Sequence, residues 1–279
     1  MTATETEKPI TTIGPSVQPK DYWRDVWRHR ELIGFLAWRD LLVRYRQTLV
    51  GVGWTVLRPL STVLVYTLVF GYLAQLPSGG VPYVLIVLTG LLPWQLFSLV
   101  LTATNESLVT NAHLISKIYF PRIIIPISSI VVCVVDTIVS FVLVVVLLFW
   151  YGFVPGWQIV LLPFITVIAA LTGLGLGLIA APLNAHYRDF RLIIPLVLQL
   201  GVFGSPVAYA TTLLPANWQP VYALNPVVGI IDLFRWAVLD QRDLIYPPSI
   251  AWTLVFTAVS LCIGIRAFRR MEANLADVM

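Results

Sequence analysis

Residues 123–151 read IIIPISSIVVCVVDTIVSFVLVVVLLFWY, and their only charged side chain is Asp136. A bilayer core about 30 Å thick is crossed by about 20 apolar residues in a helix, so this stretch alone is long enough to span. Outward from it the pattern repeats. No Asp, Glu, Lys or Arg occurs in residues 59–105, 192–231 or 244–265. The whole chain of 279 residues is 58% hydrophobic and 11% charged, with mean hydropathy +0.84. Soluble domains carry about 25% charge. This composition excludes a water-soluble enzyme, a nucleic-acid binder and a disordered chain. The pI near 9.2 does not point to nucleic acid, because basic loops beside membrane helices give the same value.

Turn residues divide the apolar mass into six predicted transmembrane helices, at 54–76, 83–104, 123–151, 157–183, 192–209 and 250–268. Sixteen of the 18 Lys and Arg fall on one side of this arrangement, leaving only Arg235 and Arg242 on the other. The positive-inside rule then places both termini in the cytosol. The fold class is an all-α integral membrane protein. Residues 1–20 are polar, without the apolar core of a signal peptide, and read as a disordered cytosolic tail. Residues 21–270 form the transmembrane domain, and 271–279 a second cytosolic tail. Cys133 and Cys262 lie inside apolar stretches and imply no disulfide framework.

Residues 21–49 are helical but do not span. Phe35, Trp38, Leu41, Leu42, Tyr45 and Leu49 share a face about 120° wide, with Asp40, Arg44 and Gln47 opposite. This predicts an amphipathic helix in the cytosolic interface, with its apolar side in lipid; a cytosolic helix packed on protein is the alternative. In the last external connection, 211–249, Asn225-Pro226 is a helix start, with a capping side chain and proline at the first position. The following helix, through Leu239, reaches only about 21 Å. It is therefore predicted to be re-entrant, after a shorter helix near 218–222, with Asp232 and Arg235 paired on one face.

The chemistry of catalysis is missing. No G-x-x-x-x-G-K-[ST] occurs, so the chain itself cannot hold ATP by a P-loop. Gly173-Leu174-Gly175-Leu176-Gly177 sits mid-membrane without a lysine and reads as close helix packing. His29, His113 and His186 lack ligand spacing, so no metal is expected. No nucleophile elbow or carboxylate pair suggests an enzyme. A proton-coupled carrier needs more intramembrane carboxylates than Asp136 alone. Asp136 is either a hydrogen-bonded packing residue or a pore-lining one.

From Arg39 onward the sequence resembles a known family. Arg39-Asp40-Leu41-Leu42-Val43-Arg44-Tyr45-Arg46-Gln47-Thr48-Leu49-Val50-Gly51-Val52-Gly53-Trp54, followed by Leu57-Arg58-Pro59-Leu60, is similar to the N-terminal motif of type-2 ABC exporter permeases. The branch it resembles exports O-antigen, capsule and teichoic acid polysaccharides. Gly90-Leu91-Leu92-Pro93-Trp94, the run from Asn111 to Pro121, Asn184-Ala185-His186-Tyr187-Arg188-Asp189, Gly204-Ser205-Pro206-Val207 and Asn225-Pro226 with Arg235 continue the match.

The resemblance implies the permease half of an ATP-driven exporter that moves a lipid-linked polysaccharide out of the cytosol across a bacterial plasma (inner) membrane. It also implies a homodimer served by two copies of a separate P-loop ATPase subunit, which bind the ATP and magnesium; this chain itself holds no cofactor. A drug, haem or lipid exporter of the same architecture is the alternative, and an ion-coupled carrier a more distant one. By the same resemblance, residues 106–121 form a coupling helix on the ATPase, with Asn111, His113, Leu114 and Lys117 at the contact. Leu108, Leu114 and Ile118 would form one stripe of that lever. The first and fifth spans would form a lateral gate. The helix carrying Asn225, Pro226, Asp232 and Arg235 would close the external opening. Arg39, Arg44, Arg46 and Arg58 would meet the pyrophosphate of a polyprenyl-linked glycan, bidentate contact with phosphate being suited to guanidinium; anionic headgroups of membrane lipids are the competing partner for each. Tyr66, Phe70, Phe97, Phe203 and Tyr209 are core in a dry bundle, or flat faces for sugar rings in a wide conduit. Composition leaves both open.

Overall fold

A computed structural model describes residues 19–46, 53–115, 117, 118, 120–187, 189–241 and 245–272. The tails up to residue 18 and from 273, and residues 47–49 of the expected interface helix, lie outside the described residues. Two helices, α1 (Pro19–Arg28) and α2 (Arg30–Arg46), precede the bundle. The first long segment is α3 (Gly53–Tyr66), continuing as a π-helical stretch over Thr67–Leu73. After a turn in which Gly79 and Gly80 take positive φ come α4 (Tyr83–Thr110), the one-turn α5 (Ala112–Ile115) and α6 (Ile124–Trp150). A 3₁₀ turn at Trp157–Leu161 leads into α7 (Leu162–His186). Then follow α8 (Phe190–Gly201), the short α9 (Gln219–Tyr222), α10 (Pro226–Leu239) and α11 (Pro247–Glu272). Among the described residues there is no strand.

Five of these segments are long and apolar enough to cross a membrane: Gly53–Leu73, Tyr83–Thr110, Ile124–Trp150, Trp157–His186 and Pro247–Glu272. They differ in what surrounds them. The most apolar 18 residues of α4 are 78% buried, whereas those of Gly53–Leu73 are 11% buried. Helix α4 is thus the axis of the bundle, and α3 is peripheral, showing Leu57, Leu60, Leu64 and Leu68 to the outside.

Small residues let the central helices approach closely. A Cβ on Gly173 would lie 2.8 Å from the Phe97 carbonyl oxygen of α4, and one on Gly175 would lie 2.6 Å from Ser260 Oγ of α11. The glycine run therefore packs α7 on two partners at once, the close-packing role expected of it. Across the same seam the Thr172 and Thr257 hydroxyls are 2.6 Å apart.

The fifth expected span, 192–209, is helical over only part of its length. Helix α8 has only 12 residues, about 18 Å at 1.5 Å per residue, and none of them is buried. The segment then leaves helical geometry at 202–209, where Gly204, Ser205 and Pro206 interrupt it. Proline cannot donate a backbone hydrogen bond, and the exposed carbonyls here are taken up by a side chain instead. Arg235 of α10 donates from Nη2 to Pro206 O at 2.7 Å and Val207 O at 3.3 Å, and from Nη1 to Tyr209 O at 3.1 Å. A third Nη2 contact, at 3.3 Å, reaches Ile86 O in α4. Tyr83 donates its hydroxyl to Ala208 O.

The expected Asp232–Arg235 pair is likewise corrected. The Asp232 carboxylate accepts from Thr211 Oγ1 at 2.8 Å, from Ser249 Oγ at 3.1 Å and from the Tyr246 backbone N–H at 3.3 Å. The two side chains form no ion pair with each other; both hold the 206–211 segment, Arg235 by its carbonyls and Asp232 at Thr211, while Asp232 also ties down Tyr246 and Ser249. Both are 0% exposed. Asn225 does cap α10, its Oδ1 accepting from Val227 N–H at 3.1 Å while Nδ2 donates to Gly204 O and Ser205 Oγ. Helix α10 is buried against α4, α7 and α11 over most of its length.

Candidate functional site

A cavity of about 600 Å³ opens between the end of α2, the start of α3 and the middle of α4 and α6. Its charged groups are Arg44, Arg58 and Asp136. Asp136, placed on α6 among apolar neighbours, needs a partner, because an unpaired buried carboxylate costs several kcal/mol on the order of the desolvation of one ion. It has two: Arg44 Nη1 forms an ion pair with one oxygen, and the Tyr45 hydroxyl donates to the other. The end of α2 is brought there because Leu36 packs on Phe120, Ile124 and Ile125 at the start of α6. Arg58, also lining the cavity, is exposed, and its guanidinium makes no hydrogen bond or ion pair with any described residue. Ser98 Oγ is buried without a partner. Trp54 and Trp94 supply aromatic wall. Two guanidinium groups against one carboxylate leave a formal charge of +1, which suits an anion.

The four arginines singled out in the sequence separate into three places. Arg44 and Arg58 line the cavity, and Arg46 is exposed at the end of α2 without lining it. Arg39 lies elsewhere, paired with Asp40 at 2.7 Å and donating from Nη2 to Asn111 Oδ1 at 2.8 Å. Nor do the five aromatics make one wall. Phe97 is buried in the protomer core with its ring 5.7 Å from Trp94. Tyr66 and Phe70 stack edge-to-face on the α3 segment. Phe203 is exposed, and Tyr209 is tied to Tyr222 by a 2.6 Å hydroxyl contact. Sequence reasoning missed Gln95, Ser98 and Thr102 as cavity residues. Their spacing, three and four apart, places them on one face of α4, and that was the signal available.

The 106–121 segment is not one continuous helix. Helix α4 runs on to Thr110, so Glu106 and Leu108 belong to it, Leu108 being fully buried in the core. Asn111 ends that helix, Leu114 lies half-buried against the Leu36–Phe120 cluster, and Ile118 is exposed. The continuous stripe is broken because the chain turns at Asn111. The connection is instead staked at both ends. At the first, Asn111 is held by Arg39. At the second, Glu272 of α11 accepts the Arg122 backbone N–H at 2.8 Å, and its own carbonyl accepts from Arg122 Nη1 at 2.7 Å. Tyr22 of α1 donates to the other Glu272 oxygen at 2.9 Å, under the guanidinium of Arg269. Burial, and then the Glu272 carboxylate, push the Tyr22 phenol above its ordinary range, so it remains the donor. Between the stakes His113 and Lys117 are exposed.

The stake makes a direct prediction. In Glu272→Ala the Arg122 amide loses a charged acceptor worth about 1.5–3 kcal/mol. Hydrogen–deuterium exchange at 120–123 should rise roughly tenfold or more while the core of α4 is unchanged. Equal protection in the two proteins would remove Glu272 from this role.

Residues 31–239, from α2 through α10, match the family described as ABC-2 type transporter. The chain belongs to the ABC-2 type transporter family. It is a multi-pass membrane protein. This ABC-2 chain is 28% identical over 260 residues to an O-antigen export system permease protein, RfbA, of Klebsiella pneumoniae, covering 89% of this chain and 95% of that one. It is 30% identical over 221 residues to the protein of the same name in Myxococcus xanthus, covering 78% and 84%. A polysialic acid transport protein of Escherichia coli, KpsM, is 23% identical over 245 residues, covering 86% and 93%. The matched region holds every cavity residue, the Asn111 stake and both buried charges of α10. It ends before α11, which supplies Glu272.

Proposed function

We propose that this chain is the membrane subunit of an ATP-driven exporter that carries a lipid-linked polysaccharide out of the cytosol. The observation that carries the reading is the cavity itself. Two guanidinium groups, one of them without a partner, sit beside Trp54 and Trp94 in a cavity that reaches from the ends of α2 and α3 to the middle of α4 and α6. A glycan on a polyprenyl diphosphate has the matching parts: an anionic head for the guanidinium groups and an apolar tail for the exposed flank of α3. The names of the relatives support the polysaccharide as cargo.

The protomer works as a homodimer with two copies of a separate P-loop ATPase, which binds the ATP and magnesium. Helices α3 and α8 carry apolar faces that no described element covers, which suits a gate and seam between two copies. Tyr66, Phe70 and Phe203 lie on or beside them and would face the sugar. Helix α8 and residues 202–210 together make the sixth pass. A Cβ on Gly201 would touch Trp94, and Ala208 accepts from Tyr83 at the start of α4, so the segment follows α4 to its far end. Six passes leave both termini on one side, the cytosolic side by the distribution of Lys and Arg, with the protein in the plasma membrane. ATP-driven closure would push on residues 111–122, whose stakes pass the movement to α2 through Arg39 and to α11 through Glu272. The buried α10, with Asn225, Asp232 and Arg235, holds the external side in shape.

The test is Arg58→Gln in the reconstituted permease–ATPase complex. Loss of one charge-assisted contact, about 1.5–3 kcal/mol, should lower stimulation of ATP turnover by lipid-linked glycan about tenfold or more. Undiminished stimulation would return Arg58 to contact with ordinary headgroups.

A further inference from the structure

We infer that Asp136 is a built-in competitor for the anion site, which makes the cavity select a diphosphate over the singly charged phosphates that surround it. The inference rests on the proposed reading of the cavity as a diphosphate site.

The site has to work among anionic lipid headgroups, which far outnumber any one cargo lipid. Two bare arginines would accept any phosphate, since charge-assisted contact with guanidinium does not depend on what the phosphate is attached to. Asp136 changes that arithmetic. Its side chain is 8% exposed, and both of its oxygens are engaged, one by Arg44 and the other by Tyr45. Only Arg58 is left without a partner.

A phosphodiester of charge −1 thus has two options. It can sit on Arg58 alone, repelled by the carboxylate across the cavity. Or it can take Arg44 from Asp136, exchanging one ion pair for another and leaving a buried carboxylate with a tyrosine hydroxyl as its remaining partner. Neither option gains much. A diphosphate carries more charge and has two phosphate groups, so it can satisfy Arg58 and draw on Arg44 together. Its gain exceeds the cost of loosening Asp136. The carboxylate therefore acts as a threshold in charge, lowering affinity for every anion and lowering it most in relative terms for the weakest. Discrimination of this kind, by a repulsive element placed beside the attractive ones, is how specificity is commonly built.

The alternative role for Asp136, holding Arg44 in position for the ligand, predicts the opposite sign. The experiment uses the full chain with its ATPase subunit in phosphatidylcholine nanodiscs, with and without phosphatidylglycerol, and farnesyl diphosphate as the probe in a binding titration. In Asp136→Asn the probe should bind about tenfold tighter in phosphatidylcholine. Phosphatidylglycerol, nearly without effect on the wild-type protein, should now compete, weakening the probe by about tenfold. Asp136→Ser removes the charge and leaves room for water, and gives the same readout should the isosteric variant fail to assemble. Weaker binding in the neutral variants, or equal competition by phosphatidylglycerol in variant and wild type, overturns the inference. If the Asp136 variants go against the inference but the wild type still binds the probe and Arg58→Gln loses it, the cavity reading stands while the inference fails. If the wild type does not bind the probe at all, the cavity reading and the inference fall together.

Discussion

Arg235→Leu is expected to yield no folded, monodisperse protein. The side chain is 0% exposed, and its guanidinium is shared among four backbone carbonyls: Ile86, Pro206, Val207 and Tyr209. Three of these lie in the segment that follows α8, where no helix supplies donors. In a membrane protein a buried backbone group without a partner costs several kcal/mol on the order of a full hydrogen bond to water. Removing one partner of a buried charged network costs about 3–5 kcal/mol, and leucine removes every donor at once. The surroundings leave no room for a rearranged backbone, since a Cβ on Gly90 would lie 2.8 Å from Val207 Cα and 2.9 Å from Arg235 Nη2. Arg235→Lys should be intermediate, because an ammonium donates from one point and cannot fork across two segments. Size-exclusion profile and thermal unfolding in detergent report the result. An unchanged unfolding midpoint for the leucine variant would mean that the carbonyls are satisfied in another way.

Gly177→Leu is expected to be nearly as damaging, for a reason of space rather than charge. A Cβ on Gly177 would lie 2.5 Å from Thr104 Cβ and 2.7 Å from its Cγ2, on the face where α7 meets the axial helix. Both atoms are close to rigid backbone, so relief requires the helices to part. Overpacking a tight core costs about 1–3 kcal/mol and at times more, and a leucine adds three carbons beyond the one already in conflict. Gly34 provides the control. Nothing lies within 4 Å of a Cβ there, and alanine in a helix is favoured over glycine by about 1 kcal/mol. Gly34→Ala should therefore raise the unfolding midpoint slightly, while Gly177→Leu lowers it by many degrees. A tolerated leucine at 177 would show that α4 and α7 are not held at this distance.

Much of the architecture was legible because it depends on local quantities. The absence of charge over residues 59–105 and 123–135 marks membrane helices whatever their neighbours. Asn225-Pro226 starts a helix because a capping side chain and a fixed φ act within one turn. The glycines at 173, 175 and 177 are where close packing occurs, since only helix approach explains small residues at that spacing in an apolar stretch. The candidate site was partly legible. Arg44 and Arg58 were identified from a resemblance, and Asp136 from its isolation in an apolar run. The polar face of Gln95, Ser98 and Thr102 was overlooked beside the stronger apolar pattern of α4.

The sequence by itself determined that this chain crosses a membrane several times and which residues are too costly to leave unpaired there. Only the tertiary structure decided the partners. Asp232 and Arg235, three apart on one helix, take their partners from loop residues rather than from each other, and Asp136 is joined to Arg44 and Tyr45 from a helix about 90 residues earlier. Arg39 lies away from the cavity and is held on Asn111. The helix after residue 190 stops at Gly201 because a guanidinium from α10 can satisfy the carbonyls of a non-helical backbone beyond it. Hydropathy is a property of each residue, and a stretch of sequence carries it unaided. Satisfaction of a buried polar group is a property of a pair, and the second member is chosen by the fold.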